Sequence, residues 1–531
     1  MKIGLILDGD RLSGWQADAL AAIAEEAEFV IYSCESDVPA KRSPHHAFYY
    51  LLNLFTIRNS QTRTKALSPF LRVAARRTFR AEADGAWQRL PTDLLKTVAA
   101  DEPAVLIKFG MGLLKVPSPD QLGVPILSYH HGDPSRFRGR PAGFYELLNG
   151  EPAVGQIVQI LSNKLDAGKI VAAAETKAVP YSYRATLVDA YRHSPLLLWG
   201  AIANAVAGKA WEPPEWGTAY RLPGNATVVR FVFQRVRALI AHLLYGLFRE
   251  KRWKVATAAV SAPVTLDSLT ASLANEARWQ PVATPVGFRF LADPFFHPDG
   301  ELIVEAMRSV SARGEVLQMT GQASRRLSGR GGHFSYPAPI ESAGQQYVVP
   351  ENSDWSPTLA YPCSDDGFGD PLELRIPGRP RLLDPTPFRH GDAIYLFGNV
   401  ASEGSSVLRL WVADALDAEF VEHPMSPIRI SPNGARMAGI PAIIDGRLIR
   451  VGQDLRRGYG DGIAFFEITH LDRACYAERS VGGFRFANTK GPHTLNLAGT
   501  QAAFDFYDDA FSLFAGFRRF RERRAARRIG G

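Results

Sequence analysis

Close to residue 255 the hydrophobic texture of the chain changes, and that change limits the fold more than any other feature. Before it, apolar segments of strand length alternate with amphipathic helical ones. After it, helical periodicity nearly vanishes and short apolar strands follow turn signals. The unit recurs five times: FHPDG then ELIVEAM, SAG then QQYVVPE, FRHGD then AIYLFGN, IIDG then RLIRVGQ, LAG then TQAAFDF. Regular short strands after polar turns predict a five-bladed β-propeller over 255–508. A chain of 531 residues is also too long for one ordinary core, so several domains are expected.

The amino-terminal half predicts an open α/β sheet. Residues 2–7 and 28–33 read as strands around an amphipathic helix, Trp15 to Glu26. Residues 36–100 read as an irregular helical insertion. Strands return at 104–109, 125–129, 154–161 and 169–178, and a long helix kinked at Pro195 runs from Ser182 to Gly208. The expected domains are therefore 1–208, α/β and Rossmann-like; 209–254, linker and amphipathic helix; 255–508, propeller; and 509–531, a basic aromatic tail. In the second of these, Pro213–Gly224 reads as linker and 230–253 as a helix. Its longest uncharged apolar stretch, near Ala238–Phe248, is shorter than the ~18 residues a spanning helix needs. It reads first as a packed inter-domain helix and second as an interfacial one.

Composition excludes several classes. With 46% hydrophobic and 22% charged residues the chain is neither disordered, collagenous nor a coiled coil. Cys34, Cys363 and Cys475 are odd in number and far apart, which argues against a disulfide framework and a cysteine zinc site. No other metal motif of useful specificity is present. The opening MKIGLILDGD lacks the features of a secretory signal, so a cytoplasmic location is expected. Of the net charge of +7, most lies in the last fourteen residues, where seven arginines from Arg518 onward face one acid, Glu522. The body is nearly neutral, and no nucleic-acid surface is expected. The segment FSLFAGFRRFRERRAARR, with Phe511, Phe514, Phe517 and Phe520, reads either as an amphipathic helix on an anionic leaflet or as a solvated tail. The first reading makes the protein peripheral on the inner membrane.

Two segments carry chemistry. In Pro125–Val171 a buried strand ends at His130, and a second leads to Asp166 in a Leu-Asp-Ala-Gly turn. Ligands of open α/β sheets bind at strand carboxyl ends. There a carboxylate can orient an imidazole that moves a proton, although a purely structural histidine fits the same residues. In the propeller half, Asp293, Glu305, Glu351 and Asp384 lie in apolar strands, three of them beside prolines. Arg436, Gln453, Asp454, Tyr459 and Gly460 follow. Paired carboxylates at inner strand ends can act as acid and base on a glycosidic bond, and an arginine there can bind a carboxylate or phosphate. The plainer alternative is that the Asp-Pro pairs form turns and Glu305 is a structural acid.

The first segment resembles the formyltransferase family that uses 10-formyltetrahydrofolate, which includes methionyl-tRNA and sugar-amine formyltransferases. The matching residues are His130, Phe137-Arg138-Gly139, Asn149-Gly150-Glu151, Gly155, and Leu165-Asp166 with Gly168; the likeness covers about 1–208. It implies that His130 and Asp166 are catalytic, with Ser128 at the position of the family's catalytic asparagine. Further departures are His131 for proline, Gly132 for serine and Ile157 for threonine. It places the folate along Gly110, Met111, Gly112, Leu113 and Leu114, with Arg138 and Gly139 near by. The family's tRNA-binding extension is replaced by the propeller, so an amino sugar, nucleotide sugar or glycolipid precursor is the expected acceptor. The second segment resembles the propeller of plant glucosamine inositolphosphorylceramide transferases and, more distantly, arabinanase-type glycosidases. It does so through Ala292-Asp293-Pro294-Phe295, Ser335-Tyr336-Pro337, Pro350-Glu351, Asp384-Pro385-Thr386-Pro387-Phe388, Arg436 with Gly439, and Gln453-Asp454. This implies carbohydrate or glycolipid handling; of the glycosidases' three acids, Asp293 and Asp384 match. The expected activity is formyl transfer to a sugar amine beside a carbohydrate-binding or carbohydrate-processing propeller. The alternatives are a propeller enzyme with a vestigial first domain and a non-catalytic glycan-binding protein.

Overall fold

A computed structural model describes all residues except 10, 36–41, 69–70, 119, 310–312, 322, 329–331, 353–356, 365–366 and 521–531. Most of the tail's arginines thus lie outside the described residues. The chain divides into two compact units, Met1–Ala241 and His242–Gly531.

The first unit is built on a seven-stranded sheet. Its order is Lys169–Lys177, Ala153–Ile160, Ile126–His130, Val105–Lys108, Lys2–Asp8, Glu28–Cys34 and Val73–Phe79. The last five strands are parallel, and the first two extend the edge in antiparallel fashion. Central strands such as Lys2–Asp8 are almost wholly buried, as expected of a parallel sheet covered on both faces. Residues 36–100 correct the expectation of a helical insertion. They hold helices at Ala47–Phe55 and Thr92–Asp101, but also the edge strand Val73–Phe79. That strand is half exposed and carries Arg76 and Arg77, so it lacks the apolar run that marks its neighbours. The long helix is present as Tyr183–His193, a 3₁₀ turn at Ser194–Leu197 and Leu198–Val206. Pro195 lies in the turn, where its missing N–H breaks the helical ladder. Ser182 caps the start by accepting from the Ala185 N–H.

The helix expected at 230–253 runs instead over Asn225–Phe248 and passes directly into the strand Arg249–Ala259. Pairing of that strand with Gln501–Phe511 converts 249–253 from helix to strand. The helix is not packed: Val228 and Phe231 are its only buried residues.

Among its described residues the second unit contains five antiparallel sheets. Four follow one another in sequence, beginning with the strands Phe288–Phe296, Phe334–Ser342, Leu382–His390 and Asn433–Met437. The fifth joins both ends of the region: Leu495–Ala498 and Gln501–Phe511 pair onward with Arg249–Ala259 and Gln280–Pro281. Each turn signal read from the sequence precedes the second strand of one sheet. One local device recurs. In the first four sheets the opening strand contains a residue with positive φ at a register shift: Asp293 (48°), Tyr336 (48°), Asp384 (44°) and Gly434 (83°). A bulge of this kind re-aims a side chain. Proline follows the first three, which explains why Asp-Pro and Tyr-Pro recur in the sequence.

Candidate functional site

His130 ends its strand with its side chain buried. Nε2 lies 3.0 Å from the Phe137 carbonyl. A carbonyl only accepts, so Nε2 carries a hydrogen, and in the neutral ring Nδ1 holds the lone pair. Nδ1 faces Asp166 Oδ2 at 3.5 Å. Asp166 sits in a turn at φ 43° and accepts the Gly139 N–H at 2.8 Å. The expected pair is therefore present, with one change: Phe137, not Asp166, sets the tautomer. Gly132 has a steric reason, because a Cβ there would approach His130 Nε2 to 2.7 Å.

Arg138 is not turned toward a ligand. It donates to Gly217 O at 2.8 Å and Leu165 O at 3.3 Å, bracing the turn that holds Asp166. Gly139, at φ 87°, packs against the Tyr220 backbone where no side chain fits. His131 is a core residue: it packs on Trp15 and Tyr191, donates to Ser194 Oγ at 2.8 Å, and burial pushes its pKa down to about 3.

Ser128 lies two residues before His130, hence on the same side of the strand, and pairs with Lys108 on the next strand. Lys108 is the residue that sequence reasoning missed here. Burial lowers its pKa while Asp8 and Asp166 act against that shift, and its Nζ donates to Met111 O at 3.2 Å. Its signal was a lysine closing an otherwise apolar strand. The loop expected to hold the folate is pinned from within. Gly110 is pressed against the Asp8 backbone, Met111 N–H donates to Asp8 Oδ1 at 2.7 Å, and Gly112 N–H donates to Gln88 Oε1 at 2.9 Å. Leu113 is exposed and Leu114 buried.

The second unit holds a cavity of about 250 Å³. Asp293, Glu305, Glu351, Asp384, Arg436 and Tyr459 line it, as expected, together with Trp253, Phe290, His333 and His493. Asp454 does not line it; its carboxylate is engaged by Arg456 and Arg485. Gln453 reaches in from beneath, donating to Asp384 Oδ2 at 2.7 Å, and Gly460 seats the Trp253 ring.

The carboxyl groups form two pairs. Arg436 donates from Nε to Asp384 Oδ2 at 2.5 Å, and from Nη2 to Asp384 Oδ1 at 3.0 Å and Glu351 Oε2 at 3.2 Å. Burial pushes Glu351 up to about 8 against the pull of Arg436, so it holds a proton at neutral pH. In the other pair, burial and the neighbouring Asp293 raise Glu305 well above the usual carboxyl range. Burial also raises Asp293, against His493. Asp293 accepts from Thr494 Oγ1 at 2.7 Å and from the Tyr336 N–H at 3.1 Å.

His493 bridges Asp505 Oδ2, at 2.5 Å from Nδ1, and Asp293 Oδ1, at 3.3 Å from Nε2. These three are the buried group whose spacing would suit a metal ion. Burial disfavours the imidazolium, but the two carboxylates outweigh it and raise the His493 pKa. An imidazolium donates on both sides and is not a ligand, so with His493 charged the trio is an ion triad. The sequence reading did not find His493 and Asp505, although Gly491-Pro492 directly before His493 is a turn signal.

Residues 251–502 match the family described as glucosamine inositolphosphorylceramide transferase 1, N-terminal. A curated relative, glucosamine inositolphosphorylceramide transferase 1 of Arabidopsis thaliana, is 26% identical over 223 residues. The match covers 39% of this chain and 29% of the relative, so the chain spans under a third of that protein's length. Among solved structures, an N-formyltransferase from Helicobacter canadensis in complex with folinic acid and dTDP-3-aminofucose is 9% identical with a TM-score of 0.29, over 44% of this chain and 80% of that one. An α-L-arabinofuranosidase from Podospora anserina in complex with cellotriose is 12% identical with a TM-score of 0.33, over 43% and 95%. Likenesses this slight bear on neither substrate nor reaction.

Proposed function

We propose that the chain is a group transferase of glycan or glycolipid assembly. The first unit moves a formyl group from 10-formyltetrahydrofolate to the amino group of a sugar or glycolipid precursor. The second, read as a closed five-bladed propeller, binds the glycan. The observation that carries this reading is the His130–Asp166 pair: a buried imidazole whose Nδ1 holds the lone pair in the neutral ring, 3.5 Å from a carboxylate at the carboxyl ends of the sheet.

The folate, when bound, supplies a formyl carbon open to attack by an amine. The residues expected to hold it suit its flat apolar face, since a pinned loop presents Leu113 outward. The chain's own groups manage the charge. His130 Nδ1 would take the proton that the amine sheds and pass it to the folate nitrogen as its bond to the formyl carbon breaks, with Asp166 stabilising the imidazolium in between. Ser128 offers a single hydroxyl donor where the resembling family has an amide. The Lys108 ammonium on the adjoining strand brings a positive charge to the same strand ends, where negative charge develops on oxygen. The sugar class rests on the relative's name, and on a cavity that combines acids with Trp253, Phe290 and Tyr459 as stacking surfaces.

Two measurements on the full chain test this. Calorimetry should detect 5-formyltetrahydrofolate, a stable donor analogue. Nucleotide-linked amino sugars should be formylated, and His130→Ala or Asp166→Asn should slow that by about a hundredfold or more. Failure to formylate any of a broad amino-sugar panel sinks the reading.

A second reading is favoured by the cavity's two carboxyl pairs, in each of which the glutamic acid holds its proton while the aspartate meets a cationic side chain. Such pairs do acid–base work on glycosidic bonds. Under it, Asp293→Asn or Asp384→Asn abolishes turnover of a glycan while His130→Ala leaves it intact.

A further inference from the structure

The helix Asn225–Phe248 carries a continuous apolar stripe that stays exposed among the described residues. Val229, Val232, Phe233, Val236, Leu239, Ile240, Leu243, Leu244 and Leu247 recur at three- and four-residue spacing, and all are exposed, Phe233 to 69%. We propose that this stripe is a lipid-docking surface, on which the helix lies within the headgroup layer of an anionic leaflet.

The helix is long and apolar enough to span a membrane. Its other side shows why it lies flat instead. Val228 and Phe231 are buried, with Phe231 stacked on Phe144 at 4.2 Å between ring centroids, and Arg235 donates to Leu147 O at 3.1 Å. At the far end the Tyr245 hydroxyl donates to Asp509. Val228, Phe231 and Arg235 turn away from the stripe and are held by the first unit, which leaves the stripe as the side that lipid can reach.

The carboxyl-terminal segment adds to the surface at the same end. Gly516 packs against Leu247, and Arg519 donates to the carbonyls of Tyr245, Gly246 and Arg249, satisfying the last turn of the helix. This leaves Leu513, Phe514 and Phe517 exposed, each above 60%. The charge selects the leaflet. Arg230 and Arg237 are exposed along one flank of the stripe, Arg249 at its end, and the sequence beyond Phe520 adds five arginines against one glutamate.

The test uses the full chain and vesicles of phosphatidylcholine alone or mixed equally with phosphatidylglycerol, separated by flotation. The chain is expected to float with the mixed vesicles, more weakly at high salt, and to be released by alkaline carbonate. Leu243→Glu with Leu247→Glu, or Phe514→Glu with Phe517→Glu, should each weaken binding by at least about tenfold, since two apolar side chains are withdrawn from lipid. These residues are exposed, so the variants should fold, which circular dichroism checks. No flotation with mixed vesicles, or undiminished flotation of both variants, overturns the proposal. Retention after carbonate would make the helix a spanning one. Concentration-dependent dimers that the same substitutions abolish, without vesicle binding, would assign the stripe to a second copy of the chain.

Discussion

Arg436 faces two carboxyl groups at once, and little water reaches it. Removing one partner of a buried ion pair leaves an uncompensated charge, at a cost of about 3–5 kcal/mol. Arg436→Met is therefore expected to destabilise the second unit by that amount in a denaturant titration. Glu351 makes a separate prediction. Its folded pKa, about 8, lies above its ordinary 4.5, so its contribution to stability is fully present below pH 4.5 and is lost progressively as the pH rises to about 8. Melting temperatures between pH 5 and pH 8 should fall more steeply in the native chain than in Glu351→Gln, where nothing titrates. At this scale the sequence shows what local chemistry marks. Asp293 and Asp384 are legible because a proline follows a residue in a left-handed bulge, and His130 because it ends an apolar strand. His493 and Asp505 are not, because they are twelve residues apart and Asp293, which completes the group, comes from another sheet. Asp454 misleads because a carboxylate beside an apolar strand reads alike whether it faces a cavity or two arginines.

The sheets of the second unit turn on single backbone positions. Gly434 adopts φ 83° with its missing side chain directed into the Phe466 ring. Ala343 holds φ 51° in an exposed hairpin turn. Substitutions at the two should have opposite signs. Gly434→Ala must displace a buried ring and is expected to destabilise by at least about 2 kcal/mol, as overpacking and a strained φ add. Ala343→Gly relieves left-handed strain of about 1–2 kcal/mol against a smaller entropic loss, and should raise the melting temperature. Elements were legible where pattern and burial agree. The buried parallel strands at 105–108 and 126–130 open on apolar residues, and the five hairpins announce themselves by Gly and Asp turns. The edge strand Val73–Phe79 hides behind its arginines. The end of the helix at Phe248 hides because Arg249–Trp253 continues an acceptable helix, and only a partner more than two hundred residues away makes it a strand.

Over the whole molecule, that long-range pairing decides whether the second unit exists. The strand Arg249–Ala259 takes its register along its whole length from Gln501–Phe511. A chain ending after Thr500 is expected to lose the second unit's cooperative transition in calorimetry and to keep that of the first. A chain ending after Phe520 should keep both. The same pairing has a consequence in time. A ribosome that has made Ala259 must add ~240 residues before the partner strand begins. At ~5–20 residues per second that is a wait of about 12–50 s. Throughout it an eleven-residue strand stands with its hydrogen-bonding edge open, long enough for another nascent copy to claim it. Yield during synthesis should therefore depend on elongation rate and on chaperones that shield this one strand, more than on the stability of the finished protein.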